Sequence, residues 1–96
     1  DVTDEARWKE IVQLAHDAMG GLNVLVNNAG IGSLGSGEDE SYEVFRKVQA
    51  VDVDSIFLGC KYAIPLMRNH GLGSIINISS IAGIIASGNY VSYNTA

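Results

Sequence analysis

Apolar residues recur at helical spacing through Trp8, Ile11, Val12, Ala15, Ala18 and Met19, which is the stripe of an amphipathic helix. Thr3 is the expected N-cap, and Asp4 and Glu5 place negative charge where a helix start favours it. Gly20-Gly21 then stops the segment. Val24-Leu25-Val26 breaks the pattern with three apolar residues in a row. A run without polar alternation is what a parallel strand covered on both faces shows. It ends in Asn27-Asn28-Ala29-Gly30, and residues 31–39, holding Gly32, Gly35 and Gly37 with Ser33 and Ser36, read as a loop.

Helical spacing returns from Ser41 to about Asn69, with Tyr42, Phe45, Val48, Ile56, Phe57, Cys60, Ile64 and Met67 as the expected packed positions. A straight helix of that length would run about 40 Å, so a bend is expected. Val51-Asp52-Val53-Asp54 is its weakest helix-forming stretch, and Pro65 removes a later backbone bond. Gly71 and Gly73 close the segment, and Ser74-Ile75-Ile76-Asn77-Ile78-Ser79 has the composition of a second strand. An apolar loop from Ile81 to Asn89 leads to Tyr93, near the start of another helix.

Helix, strand, helix, strand, with a crossover too long for a hairpin, predicts a parallel α/β sheet. Functional loops in such sheets lie beyond the carboxyl ends of the strands. Both strands here end in polar residues, Asn27-Asn28 and Ser79-Ser80, and the chemistry is expected there.

Composition narrows the picture further. With 96 residues, 47% hydrophobic and 18% charged, the chain has the make-up of a packed core rather than a disordered tail. A net charge of −5 gives no basic footprint for nucleic acid or an anionic membrane. No apolar run nears the roughly 20 residues of a membrane span, and the amino end lacks a signal-peptide layout, which together point to the cytoplasm. Cys60 is the only cysteine, so no internal disulfide forms, and it is expected to be a buried thiol. His16 and His70 have no ligand spacing around them and read as solvated, with no metal expected. Trp8 reads as a packing residue.

On these residues the sequence resembles the short-chain dehydrogenase/reductase family along essentially its whole length. Asn27-Asn28-Ala29-Gly30 matches the NNAG signature after the family's fourth strand, Ser80 and Tyr93, thirteen positions apart, match its catalytic serine and tyrosine, and Asp1-Val2 resembles the pair that contacts the adenine of the cofactor. The resemblance implies an α/β, Rossmann-like doubly wound parallel sheet, of which residues 1–96 form a partial NAD(P)-binding domain. It implies NAD or NADP held by Asp1, Val2, Asn28, Ala29, Gly30 and Tyr93, with hydride exchanged between the cofactor and an alcohol or carbonyl substrate. Asn27 is expected to serve structure. Ser80 would hold the substrate oxygen, and Tyr93 would exchange the proton. A phenol ordinarily loses its proton near pH 10, so the tyrosine's role calls for positive charge nearby. In the family a lysine four residues later supplies it, which here is position 97, while the glycine-rich phosphate loop would precede Asp1. The segment is therefore expected to be an internal fragment, inactive alone.

One position departs from the pattern. Asp52 stands where the family usually has an asparagine that holds a relay water. As a carboxylate it accepts but does not donate, and it reads as a working variant, a source of weakened activity, or a residue at a helix bend. This departure is the only support for an alternative function, a non-catalytic dinucleotide-binding regulator. Ile81, Ile84 and Ile85 either line a pocket for a hydrophobic secondary alcohol or ketone or pack on a neighbouring helix. The resemblance further implies that the long helix and the one bearing Tyr93 build a homodimer or homotetramer.

Overall fold

Asp4, not Thr3, caps the first helix: its carboxylate accepts from the Arg7 N–H at 3.1 Å. Thr3 is diverted, because both its N–H and its hydroxyl donate to Asp1 Oδ1, and an ionised carboxylate is the better partner for the positive end of a helix. In this computed structural model, which describes residues 1–96, the elements in order are α1 (Glu5–Met19), β1 (Val24–Asn27), α2 (Tyr42–Gln49), a π-helical turn (Ala50–Asp54), α3 (Ser55–His70), β2 (Ser74–Asn77), a 3-10 turn (Ile81–Gly83) and α4 (Val91–Thr95). α1 stops at Gly20, whose left-handed φ of 73° turns its N–H back to the His16 carbonyl. The bend expected at Val51–Asp54 takes the form of the π turn, where each hydrogen bond spans one residue more than in an α-helix.

The chain divides into two units, Asp1–Asn28 with Ser55–Ile78, and Ala29–Asp54 with Ser79–Ala96. In the first, β1 and β2 pair in parallel, with Val24 opposite Ser74 and Asn27 opposite Asn77. α3 packs on both β1 and α1. Val12, Leu22, Ala63 and Met67 form the core, with Trp8, Leu25, Tyr62 and Leu66 against it. Asn27, 7% exposed, donates from Nδ2 to Asn77 Oδ1 at 2.8 Å. Beside it Gly59 lets the helix come close: a Cβ there would lie 2.7 Å from Asn27 Oδ1 and 3.1 Å from the Trp8 ring.

Several apolar positions are not where periodicity put them. β1 is covered on one face only, the one bearing Leu25 and Asn27, while Val24 and Val26 stay about half exposed. Tyr42, Phe57 and Ile64 face solvent although they share helical spacing with buried Val48 and Met67, because the apolar stripe is wider than the surface these 96 residues offer to cover it. Cys60 is half-buried rather than enclosed. In the second unit α2 packs on the π turn and α4, and α4 packs on the 3-10 turn, with Val48 and Ser92 fully enclosed. No helix is long and apolar enough to cross a membrane.

The approach at Gly59 makes a direct test of this packing. Gly59→Ala should cost about 1–3 kcal/mol, measured by denaturant unfolding, since the added methyl must push aside a buried amide that has a partner to lose. An unchanged midpoint would mean that α3 is not held against β1.

Candidate active site

β1 releases the chain through Asn28, Ala29 and Gly30, all exposed. Asn28 ends the first unit, which also holds Asp1 and Val2, whereas Ala29, Gly30, Asp52, Ser80 and Tyr93 all lie in the second. At the amino end, Asp1 Oδ1 is engaged by Thr3, and the Val2 carbonyl accepts the Trp8 indole N–H at 2.7 Å. Trp8 thus packs on the core and also anchors that end.

Asp52 sits on the π turn, and its Oδ1 accepts the Ile31 N–H at 2.8 Å. It holds the backbone one residue past the Asn-Asn-Ala-Gly turn, a role the sequence did not disclose. A Cβ added to Gly30 would meet the same oxygen at 3.7 Å, an ordinary contact. Within the chain, then, a Cβ at 30 would be accommodated.

Ser80 has extended backbone and caps the 3-10 turn, its Oγ accepting from the Ala82 N–H at 3.2 Å. Tyr93 is the third residue of α4, a helix of five residues whose N-cap, Tyr90, makes no side-chain bond. So short a helix does not support itself, and tertiary bonds hold it. Gly35 pairs with Tyr90 as an isolated parallel bridge, donating to the Asn89 carbonyl at 2.9 Å and accepting from the Val91 N–H at 3.1 Å. Asn94 Nδ2 donates to the Ala82 carbonyl at 2.7 Å. That bond joins the helix of Tyr93 to the turn that Ser80 begins.

The second unit also contains a carboxylate that the sequence reading passed over. Glu40 Oε2 accepts hydroxyl donors from Ser33 and, at 2.7 Å, from Ser92. The Ser33 hydroxyl first, and the Ser92 hydroxyl after it, hold the Glu40 carboxyl below the ordinary glutamate range, against a smaller opposing effect of desolvation. No group of three or more His, Cys, Asp or Glu side chains is placed to hold a metal.

The enoyl-(acyl carrier protein) reductase family model matches residues 1–96. The chain belongs to the short-chain dehydrogenase/reductase family. It is 47% identical over 93 residues to a 2,5-dichloro-2,5-cyclohexadiene-1,4-diol dehydrogenase of Sphingobium indicum, covering 97% of this chain and 37% of that protein. It is equally identical over 96 residues to the trans-4-hydroxycyclohexanecarboxylate dehydrogenase of Sinomonas cyclohexanicum, covering 100% and 37%. An NADP-dependent (R)-specific alcohol dehydrogenase of Lentilactobacillus kefiri is 40% identical over 97 residues, covering 100% and 38%. A crystal structure of a short-chain dehydrogenase from Streptomyces avermitilis superposes with a TM-score of 0.90 at 30% identity, covering 99% of this chain and 35% of that one. The chain thus spans little more than a third of the length of the curated relatives it matches. As in other members of the family, the fold is an α/β Rossmann-like parallel sheet, of which these residues carry two strands, and family members use NAD or NADP.

The lowered proton affinity of Glu40 gives a pH test. The native state favours the carboxylate, so the stabilisation is in place above the ordinary glutamate range and is lost as pH falls through the lowered native value. Thermal unfolding followed from roughly pH 5 downward should show a destabilisation that Glu40→Gln makes shallower. An identical acid slope in both proteins would remove Glu40 from the balance.

Proposed function

We propose that these 96 residues are the central part of a cytoplasmic NAD(P)-dependent short-chain dehydrogenase that acts on a hydrophobic secondary alcohol or the corresponding ketone. The observation that carries the reading is the Asn94–Ala82 bond, which ties the element bearing Tyr93 to the turn capped by Ser80 and so supports a shared role for the two residues. Asn28, Ala29 and Gly30, with Asp1 and Val2, would hold the cofactor. The fit is supported by an exposed turn whose glycine is not demanded by any neighbour in the chain, leaving room for a flat nucleotide to approach the backbone. When bound there, the nicotinamide would supply or receive the hydride.

The remaining work falls to the protein. Ser80 would donate to the substrate oxygen and keep it in place, and Tyr93 would give its hydroxyl proton to that oxygen in reduction, or take it in oxidation. Asp52 fixes the loop after Gly30 by accepting from the Ile31 backbone, and an asparagine could accept there equally through its own side-chain oxygen. That favours Asp52 as a working variant over a sign of lost catalysis.

For the substrate, Ile81, Ile84 and Ile85 are all largely exposed, which favours the alternative of an apolar lining. Two of the relatives are named for alcohols borne on six-membered rings, and a cyclic secondary alcohol is the class to try first. Exposed Phe57 and Ile64 on α3 support a homodimeric or homotetrameric parent.

Two variants of the full-length protein test the reading. Tyr93→Phe should lower turnover of a cyclic secondary alcohol at least ~100-fold while cofactor-dependent thermal stabilisation is retained. Turnover that survives would remove Tyr93 from proton transfer, and a wild-type protein stabilised by cofactor yet inert toward every alcohol would favour the regulator. Asp52→Asn should keep turnover within a few-fold of wild type and leave exchange of the Ile31 amide slow, whereas Asp52→Ala should speed that exchange about tenfold.

A further inference from the structure

We propose that Glu40 is a positioning residue for Tyr93, holding α4 through the Ser92 hydroxyl; the inference rests on the catalytic reading of Tyr93 given above. Ser92 immediately precedes the tyrosine and has no exposed surface. Its hydroxyl donates to Glu40 Oε2 at 2.7 Å, and its carbonyl accepts from Gln49 Nε2 at 2.9 Å, so it is tied through side chain and backbone alike. The oxygen that receives Ser92 also receives the Ser33 hydroxyl. A single carboxylate oxygen thereby joins α4 to the loop that follows the Asn-Asn-Ala-Gly turn.

The carboxylate is itself held. The Glu40 N–H donates to the Ser36 carbonyl at 3.0 Å, and a Cβ at Gly35 would lie 2.9 Å from Glu40 Cδ and Oε1, so the side chain lies directly over backbone that a larger residue would occupy. On the other side of the tyrosine, Asn94 is bonded to the Ala82 carbonyl. Successive helical residues point about 100° apart, so ties at 92 and 94 fix the helix on both sides of Tyr93. α4 has five residues and no side-chain cap, and without these ties it would fray. Displacing a reacting group by about 1 Å costs a large factor in rate. Glutamate suits the position because two hydroxyls can donate to one anion, and bonds to a charged acceptor are the stronger kind.

The experiment uses the full-length protein with Glu40→Ala, Glu40→Gln and Ser92→Ala, reading steady-state turnover of a cyclic secondary alcohol, cofactor affinity, and hydrogen exchange at the Asn94 and Ala96 amides. These amides donate to Tyr90 and Ser92 carbonyls within α4, and their exchange is measured with no substrate present. Glu40→Ala and Ser92→Ala should each lower kcat about tenfold or more, with cofactor affinity and KM within about twofold and amide exchange faster by a similar factor. Glu40→Gln, which keeps an acceptor oxygen, should recover most of the rate. If Glu40→Ala does not fold, Ser92→Ala and Glu40→Gln decide the matter. A kcat for Ser92→Ala within twofold of wild type, unaltered exchange in α4, or a loss of kcat matched by an equal loss of cofactor affinity would overturn the proposal. A wild-type protein that turns over no alcohol would instead overturn the catalytic reading, and the exchange measurement would then judge the tie by itself.

Discussion

The bond between the Asn27 and Asn77 side chains fixes the register on which the two-stranded sheet depends. Parallel strands can slide against one another, and a slip of one residue would turn every side chain to the other face. Asn27 resists such a slip because it is buried, and leaving its amide unpaired would cost about 1–3 kcal/mol. Its partner is directly opposite, at the matching position of β2, and the Ile78 N–H continues the ladder to the Asn27 carbonyl. The two strands therefore finish together, one continuing into Asn28-Ala29-Gly30 and the other into Ser79-Ser80. Gly59 is part of the same constraint, since only a bare Cα admits α3 to this depth beside the amide.

The second unit solves a different problem. Its reactive candidates sit on short, irregular pieces: a π turn, a 3-10 turn and a helix of five residues. None of these has enough internal hydrogen bonding to be rigid alone. Side chains do the stiffening, and each acts on backbone or on another side chain well separated in sequence: Asp52 on Ile31, Asn94 on Ala82, Gln49 and Glu40 on Ser92. Irregular backbone frees these candidates from helical or strand geometry, and the polar ties restore the order that regular structure would have given.

That division explains what could be read in advance. The strands, α1 and the weak point at 51–54 were legible because apolar runs, stripes and β-branched clusters are local signals. Thr3 and Asp4 are both good caps, and the choice between them turned on a rival acceptor, Asp1, that a cap preference does not weigh. Tyr42, Phe57 and Ile64 were expected inside because periodicity reports which face is apolar and not whether a partner is present to cover it. Ser80, Tyr93 and Asp52 stood out through spacing and family likeness. Glu40, Ser92 and Asn94 did not, since an acidic residue among Glu38-Asp39-Glu40 and a serine beside a tyrosine carry no mark until folding brings positions 40 and 92 together.

The proximity of Gly35 to Glu40 has an evolutionary side. A side chain at 35 and a full-length carboxylate at 40 compete for one volume, so the two positions cannot drift independently. Alanine at 35 would require the Glu40 side chain to shift, and loss of the glutamate would release the space above the glycine. Substitutions at the pair should be strongly non-additive, and the order in which they arise would decide which histories are open to this loop.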